Sequence, residues 1–315
     1  MNEENEYKRS GVIEEKEYQI HLYFIFGLII ITLTLIVIRI LLYYYEIHPY
    51  IKESKDIDYL IFIEGMKNGL INFYDLIEFS DWPPYYLYFW YFIFFPMYLL
   101  PIEIGIYIWD AIRLSSVAYV FYNAKEIFEN KKDLIIFYVL SSIGYCYDAY
   151  FNNANFLIIF FLFLSYKYFE NDKKWIAGIF FTLATFKINS LIFIPVLLIS
   201  RKIKFKDQIY FLIPFFLICI PYIIFPDYFM QMVNNWLHSD EEIQGVLFLD
   251  SITWKALQPS HLMFISLLIL IFLANLENIS LAKRKKLLRI LLPSIILIYY
   301  IYLTIIAFFI PIILT

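Results

Sequence analysis

Residues 20–45 read IHLYFIFGLIIITLTLIVIRILLYYY. At about 1.5 Å per residue a helix of this length crosses a hydrocarbon core of roughly 30 Å. No small-residue cleavage site follows a short apolar core, so the run is expected to be a retained anchor and not a signal peptide. Residues 1–18 before it carry six Glu against Lys8, Arg9 and Lys16 and are expected to form a cytoplasmic tail. Comparable apolar runs recur along the chain, separated by short polar loops. The 315 residues are 62% hydrophobic and 17% charged, with a mean hydropathy of +0.67, a composition that excludes a water-soluble fold. Helices are expected to do the spanning, because backbone polar groups in lipid must be satisfied within the segment. The net charge of -4 and a pI near 5.6 leave no basic field for nucleic acid. Cys146 and Cys219 lie far apart inside apolar runs and supply neither a disulfide framework nor metal-ligand spacing.

Lys and Arg gather at 123–133, 167–174, 201–206 and 283–289, which places those loops in the cytoplasm. With the N-terminus also inside, the loop 46–83 is outside, and one crossing is needed between 84 and 123. Residues 84–100 are bounded and interrupted by Pro83, Pro84, Pro96 and Pro101, whereas 102–122 has no proline, so the second stretch spans. The first becomes an interfacial helix, with Tyr85, Tyr86, Tyr88, Trp90 and Tyr91 at headgroup depth. Residues 175–200 lie between two basic loops and cross twice, as short helices 175–186 and 190–200. A 12-residue helix is about 18 Å long, so their apex at Lys187 ends below the outer surface and lines a polar cavity. Further spans at 134–148, 155–169, 209–225, 262–276 and 288–314 complete the expectation. It is an all-α polytopic integral membrane protein of about nine transmembrane helices, with outer-face interfacial helices in the first loop. Residues 19–315 form a single transmembrane domain in which 46–101 is the outer-face loop and its helices.

The first outer loop holds eight acids against three lysines. Asp56 and Asp58 precede a mixed run, 59–70, suited to a surface helix. A carboxylate at that boundary is partly desolvated and approaches the basicity of a general base; a solvated acidic loop is the alternative. Asp110 and Arg113, three apart on one span, either neutralise each other or leave an Arg fork for a phosphate. Asn152, Asn153 and Asn155 open a span at its outer end, where capping is the plain role. Lys187 needs an anion to offset its burial. His48, His238 and His261 lack metal-ligand spacing. No metal or other cofactor is expected, with a divalent ion as the alternative.

Asp58-Tyr59, Lys67-Asn68-Gly69, Tyr74-Asp75, Trp82-Pro83-Pro84 and the Pro96 to Pro101 step resemble the opening of GT-C membrane glycosyltransferases, most of all polyprenol-phosphate-mannose-dependent mannosyltransferases. Asn152-Asn153-Ala154-Asn155-Phe156-Leu157 is similar to that family's Gly-Gln-x-Asn-Leu-Leu step. Ala177-Gly178, Leu183-Ala184, Lys187 and Pro195 are similar to its Ala-Gly, Leu-Ala, Lys-Pro and Pro sequence. Trp82, Asn152-Asn153 and Ile188 depart from it, and the resemblance covers about residues 20–205. It implies inverting transfer of a hexose, mannose in the family named, from a polyprenyl-phosphate-linked sugar donor to a glycan or lipid acceptor hydroxyl. The reaction then takes place on the extracytoplasmic side of a plasma membrane, or of the endoplasmic reticulum in a eukaryote. On this resemblance Asp58, with Asp56 as competitor, takes the acceptor proton. Lys187 and Arg113 hold the donor phosphate, Asn153 and Asn155 line the sugar pocket, and Tyr59 and His238 complete the substrate-binding set. A non-catalytic membrane transporter or flippase, or an inactive homologue, is the alternative reading.

Overall fold

The structure is a computed structural model. It describes residues 3–45, 55–75, 84, 86–126, 131–187, 190–191, 193–199 and 202–235, with the backbone alone for 3–19, 195 and 199. The expected spans 262–276 and 288–314, the basic loop 283–289 and His238 lie outside the described residues.

Every regular element among the described residues is helical. In chain order these are α1 (Glu3–Tyr44), α2 (Ile57–Lys67), α3 (Trp90–Tyr98), α4 (Ile102–Ala124), α5 (Lys131–Phe151), α6 (Asn155–Glu170), α7 (Lys174–Ala184), α8 (Phe193–Ile199), α9 (Ile209–Ile218) and α10 (Ile220–Ile224). A further helical run covers 226–235. Among the described residues three helices are long and apolar enough to cross a membrane: Ile20–Tyr44 within α1, then α4 and α5. The expected nine crossings are therefore not all present as such helices among the described residues. The run 209–225 is interrupted at Cys219, where Pro221 lacks the N–H that would carry the α9 ladder onward. The competition between 84–100 and 102–122 resolves into a nine-residue α3 that contains Pro96 and a 23-residue α4 that begins after Pro101.

The chain divides into two units, Met1–Lys167 and Tyr168–Thr315. In the first, α1, α4 and α5 form a bundle whose directions follow from its contacts. Thr32 pairs with Tyr145 and Phe24 with Tyr138, so α1 and α5 run parallel. His21 meets Tyr122 while Arg39 meets Asp110, so α4 runs the other way. The bundle end reached by Tyr44, Ile102 and Phe151 is covered by α2 and α3. There Tyr59, Phe62, Trp90, Phe94 and Trp109 form one aromatic cluster, with ring centroids 5.1–6.3 Å apart. Trp90 is fully buried in this cluster. Phe94 of α3 stacks on its face while Phe62 of α2 and Trp109 of α4 meet it edge-on, so its ring is packed against protein. Tyr86 is likewise buried, against Phe62.

In the second unit α7 lies along α9. Gly178 permits the approach, since a Cβ there would run into the Tyr210 carbonyl. Phe181 meets Phe211 edge-on at 5.5 Å, and Lys174 Nζ donates to Asp207 at 3.0 Å. The stretch 175–200 does fold as two short helices, α7 of 11 residues and α8 of seven, with Lys187 in the turn after α7.

Candidate active site

The residues that could do chemistry collect in the first unit, where the chain enters α2. Asp56 adopts a left-handed backbone (φ 70°), a conformation aspartate tolerates better than most residues. Its N–H donates to the Tyr150 carbonyl at 3.0 Å and its own carbonyl accepts from Leu60, the first link of α2. The turn is thereby tied to the last turn of α5, and its side chain is directed into the bundle.

There Asp56 meets Arg39 from α1. Arg39 grips both carboxylate oxygens, Nε to Oδ2 at 2.6 Å and Nη2 to Oδ1 at 2.9 Å, and its Nη1 donates to Asp110 Oδ2 at 2.7 Å. Arg113 donates through Nη1 to Asp110 Oδ1 at 2.8 Å and through Nη2 to Asn152 Oδ1, while its Nε faces Asp148 Oδ2 at 3.5 Å. Asn152 Nδ2 donates to Asp56 Oδ1 at 2.8 Å, and Lys55 Nζ donates to the same oxygen at 2.6 Å. Three cations (Arg39, Lys55, Arg113) thus interlock with three carboxylates (Asp56, Asp110, Asp148) in a set with no net charge. A buried charge is tolerable when it is paired and hydrogen-bonded in this way. Burial is the larger influence on the Lys55 ammonium and pulls its pKa below the ordinary lysine value. Asp56 opposes that fall and the Arg39 charge adds to it.

Asp58, two residues further on, stands at the edge of this set. It is half-buried on the first turn of α2 and accepts a hydrogen bond from Asn153 Nδ2. The carboxylates of the Asp56-Ile57-Asp58 step therefore live in different surroundings: the first is buried beneath two cations, and the second borders on a neutral amide.

The other candidates fall as follows. Arg113 is fully buried, and its guanidinium is engaged by Asp110 and Asn152, with Phe156 below its plane at 5.3 Å. Tyr59 is also fully buried, between Phe94 and Trp109, with its hydroxyl against Gly105; burial pushes that hydroxyl above the ordinary tyrosine value. Asn155 opens α6, where its N–H and that of Phe156 donate to the Asp148 carboxylate at 3.2 and 3.3 Å. Two of the amides at the helix start that lack an intrahelical partner are satisfied in this way. Lys187 belongs to the second unit and is half-buried; its carbonyl accepts from Ser190 N–H and Oγ–H at 3.1 and 2.9 Å. Among the described residues no group of three or more His, Cys, Asp or Glu is arranged to hold a metal ion.

Sequence reasoning passed over Arg39, Lys55 and Asp148 and read Asn152 as a helix cap and as part of the Asn152-Asn153 step, not as a partner of Asp56 and Arg113. The signal for Arg39 is plain in retrospect. A lone arginine in the apolar span Ile20–Tyr44 is best served by an anionic partner from elsewhere in the fold.

Three apolar helices, two short covering helices and a charged cluster with a bordering carboxylate define, among the described residues, a helical membrane protein with polar groups gathered at one end of its bundle. Residues 85–308 match the family model of glycosyltransferase family 87. That match takes in more than two thirds of the chain, and the protein belongs to this family of GT-C-type membrane glycosyltransferases. No curated protein and no solved structure matches the chain.

Proposed function

We propose that this glycosyltransferase moves a hexose, mannose, from a polyprenyl-phosphate sugar to an acceptor hydroxyl at the extracytoplasmic membrane face, with inversion. Asp58 is the base in this reading. It removes the hydroxyl proton as the acceptor oxygen bonds to the sugar C1, and the bond from C1 to the phosphate oxygen breaks on the opposite face. The polyprenyl phosphate leaves with the electron pair. One observation carries the choice of base: Asp56 is occupied by Arg39, Lys55 and Asn152, whereas Asp58 is half-buried beside a neutral donor. The Asp56 oxygens already accept four hydrogen bonds, about as many as a carboxylate offers, and have no place left for an acceptor hydroxyl.

Arg113 is engaged by Asp110 and Asn152, so this reading gives it the role of holding the cluster together. Lys187 is kept as the candidate cation for the donor phosphate on the motif resemblance, and an ammonium suits a leaving group that departs as a lipid phosphate. The deciding experiment uses purified protein with synthetic polyprenyl-phosphate mannose and octyl α-mannoside. Sugar transfer that Asp58→Ala abolishes is the expected result. Movement of the lipid-linked sugar between leaflets without transfer overturns it and points to a transporter. Lys187→Met is expected to raise the donor KM with less effect on the acceptor KM, and an unchanged donor KM removes Lys187 from the reading.

A further inference from the structure

The short turn between α5 and α6 places two asparagines side by side, and each addresses one carboxylate of the Asp56-Ile57-Asp58 step. Asn152 Nδ2 donates to Asp56 and Asn153 Nδ2 donates to Asp58. Neither amide is free to turn over. Asn152 Oδ1 accepts from Arg113 and Asn153 Oδ1 accepts from the Ala154 N–H at 2.7 Å, so the NH2 ends are the ones left to face carboxylates.

The turn itself is pinned from two helices. Asn153 N–H donates to the Asp148 carbonyl at 2.9 Å, and the Asp148 carboxylate takes the N–H groups of Asn155 and Phe156. Trp109 Nε1 donates to the Asn152 carbonyl at 3.3 Å. Asn152 has φ +59°, in the left-handed region that asparagine enters more readily than other side chains. Two adjacent amides on a backbone held in this manner are a rigid gauge for two carboxylates, one in the turn before α2 and one on its first turn.

The chemistry of the gauge differs along its length. The Asn152 end joins the interlocked charges, and the Asn153 end reaches Asp58 with a neutral donor. A general base needs its rotamer fixed without losing its affinity for a proton. An arginine or lysine in the place of Asn153 would fix it but stabilise its ionised form much more strongly. An amide orients with a smaller effect.

We infer that Asn153 is a positioning residue that sets the orientation of the Asp58 carboxylate for proton removal, rather than a wall of the sugar pocket. This rests on the reading of Asp58 as the base. The test compares full-length wild type with Asn153→Ala, Asn153→Asp and Asp58→Asn in nanodiscs, using synthetic polyprenyl-phosphate mannose and octyl α-mannoside. In parallel, infrared spectra of aspartate-labelled protein locate the carboxylate stretch lost in Asp58→Asn. Asn153→Ala is expected to lower kcat by about 10- to 100-fold, the scale of a misplaced reacting group, with both KM values unchanged and the Asp58 band displaced. The near-isosteric Asn153→Asp replaces a donor by a like charge and is expected to lower kcat at least as far, which covers the case in which the alanine variant does not fold.

A donor KM that rises at constant kcat overturns the inference in favour of sugar contact, and an Asp58 band that stays in place in both variants overturns it outright. If Asp58→Asn keeps its turnover while the band still moves in Asn153→Ala, the base assignment has failed and with it the catalytic purpose of the contact, although the contact itself is real.

Discussion

At the end of the bundle near Tyr44 the helices α1, α4 and α5 are joined by charge, with Arg39, Asp110, Arg113 and Asp148 in contact and Asp56 closing the set. At the opposite end the same three helices are joined by rings. Phe24 and Phe121 pack on Tyr138 at 5.0 and 4.9 Å, Tyr138 Oη donates to the Phe121 carbonyl at 2.8 Å, and His21 meets Tyr122. Ring packing is broad and tolerates small sliding of one helix on another. Forked charge-assisted bonds fix rotation and register, because moving one helix by a fraction of a turn breaks several at once. The candidate base lies at the end where register is fixed, and this is the requirement of a reaction that depends on sub-ångström placement.

The comparison can be broken most severely at Asp56. Asp56→Ala leaves Arg39 and Lys55 short of a carboxylate and is expected to destabilise the protein by about 3–5 kcal/mol, while also freeing the segment that carries Asp58. Thermal unfolding in detergent measures the first effect and sugar transfer the second; a loss below about 1 kcal/mol says that the charged end is not what holds the bundle. Asp58→Asn sharpens the contrast between neighbours. It is expected to cut turnover by about 10²-fold or more, the scale of a lost general base, with a melting temperature like that of the wild type. A smaller cost belongs to the aromatic end. Tyr138→Phe removes one hydrogen bond and is expected to cost about 1 kcal/mol, with turnover per folded molecule unchanged.

The smallest effect concerns Lys55 and depends on pH. Its pKa is lower in the folded protein than the ordinary value of 10.5, so between those two values the unfolded chain binds more protons and stability rises with pH. This contribution is complete above about pH 10.5 and is lost as pH falls through the folded value. Unfolding curves of wild type and Lys55→Met are expected to draw apart in favour of the wild type as the pH is raised toward that value. Curves that keep a constant separation say that Lys55 titrates alike in both states.

Much of the scaffold was legible because it rests on local signals. Proline placement distinguished 84–100 from 102–122, and the length of 175–200 required a pair of short helices. Asp110 and Arg113 were recognised as a pair from their spacing along one helix. What could not be read were contacts between residues distant in sequence. Arg39 finds Asp56 and Asp110 at separations of 17 and 71 residues, and Asn152 finds Asp56 at 96. No periodicity encodes such meetings. Nor could the spacing of Asp56 and Asp58 tell which one is buried, since that follows from a left-handed turn and from the cations waiting beyond it. Composition alone likewise could not show that Trp90 is packed on every side by other rings of the fold. The family match begins at residue 85 and runs to 308. Its reach over the C-terminal part complements a motif resemblance that stops near 205, and it leaves Arg39, Lys55, Asp56 and Asp58 outside.

The position of Arg39 also bears on how the protein is made. In chain order its helix comes before both carboxylate partners. Lying near the Tyr44 end, the guanidinium can extend along its own stem to the interface and wait there in water. Asp56 follows after 17 residues and Asp110 only after 71, so a chain made from its N-terminus has the nearer partner in hand well before the farther one.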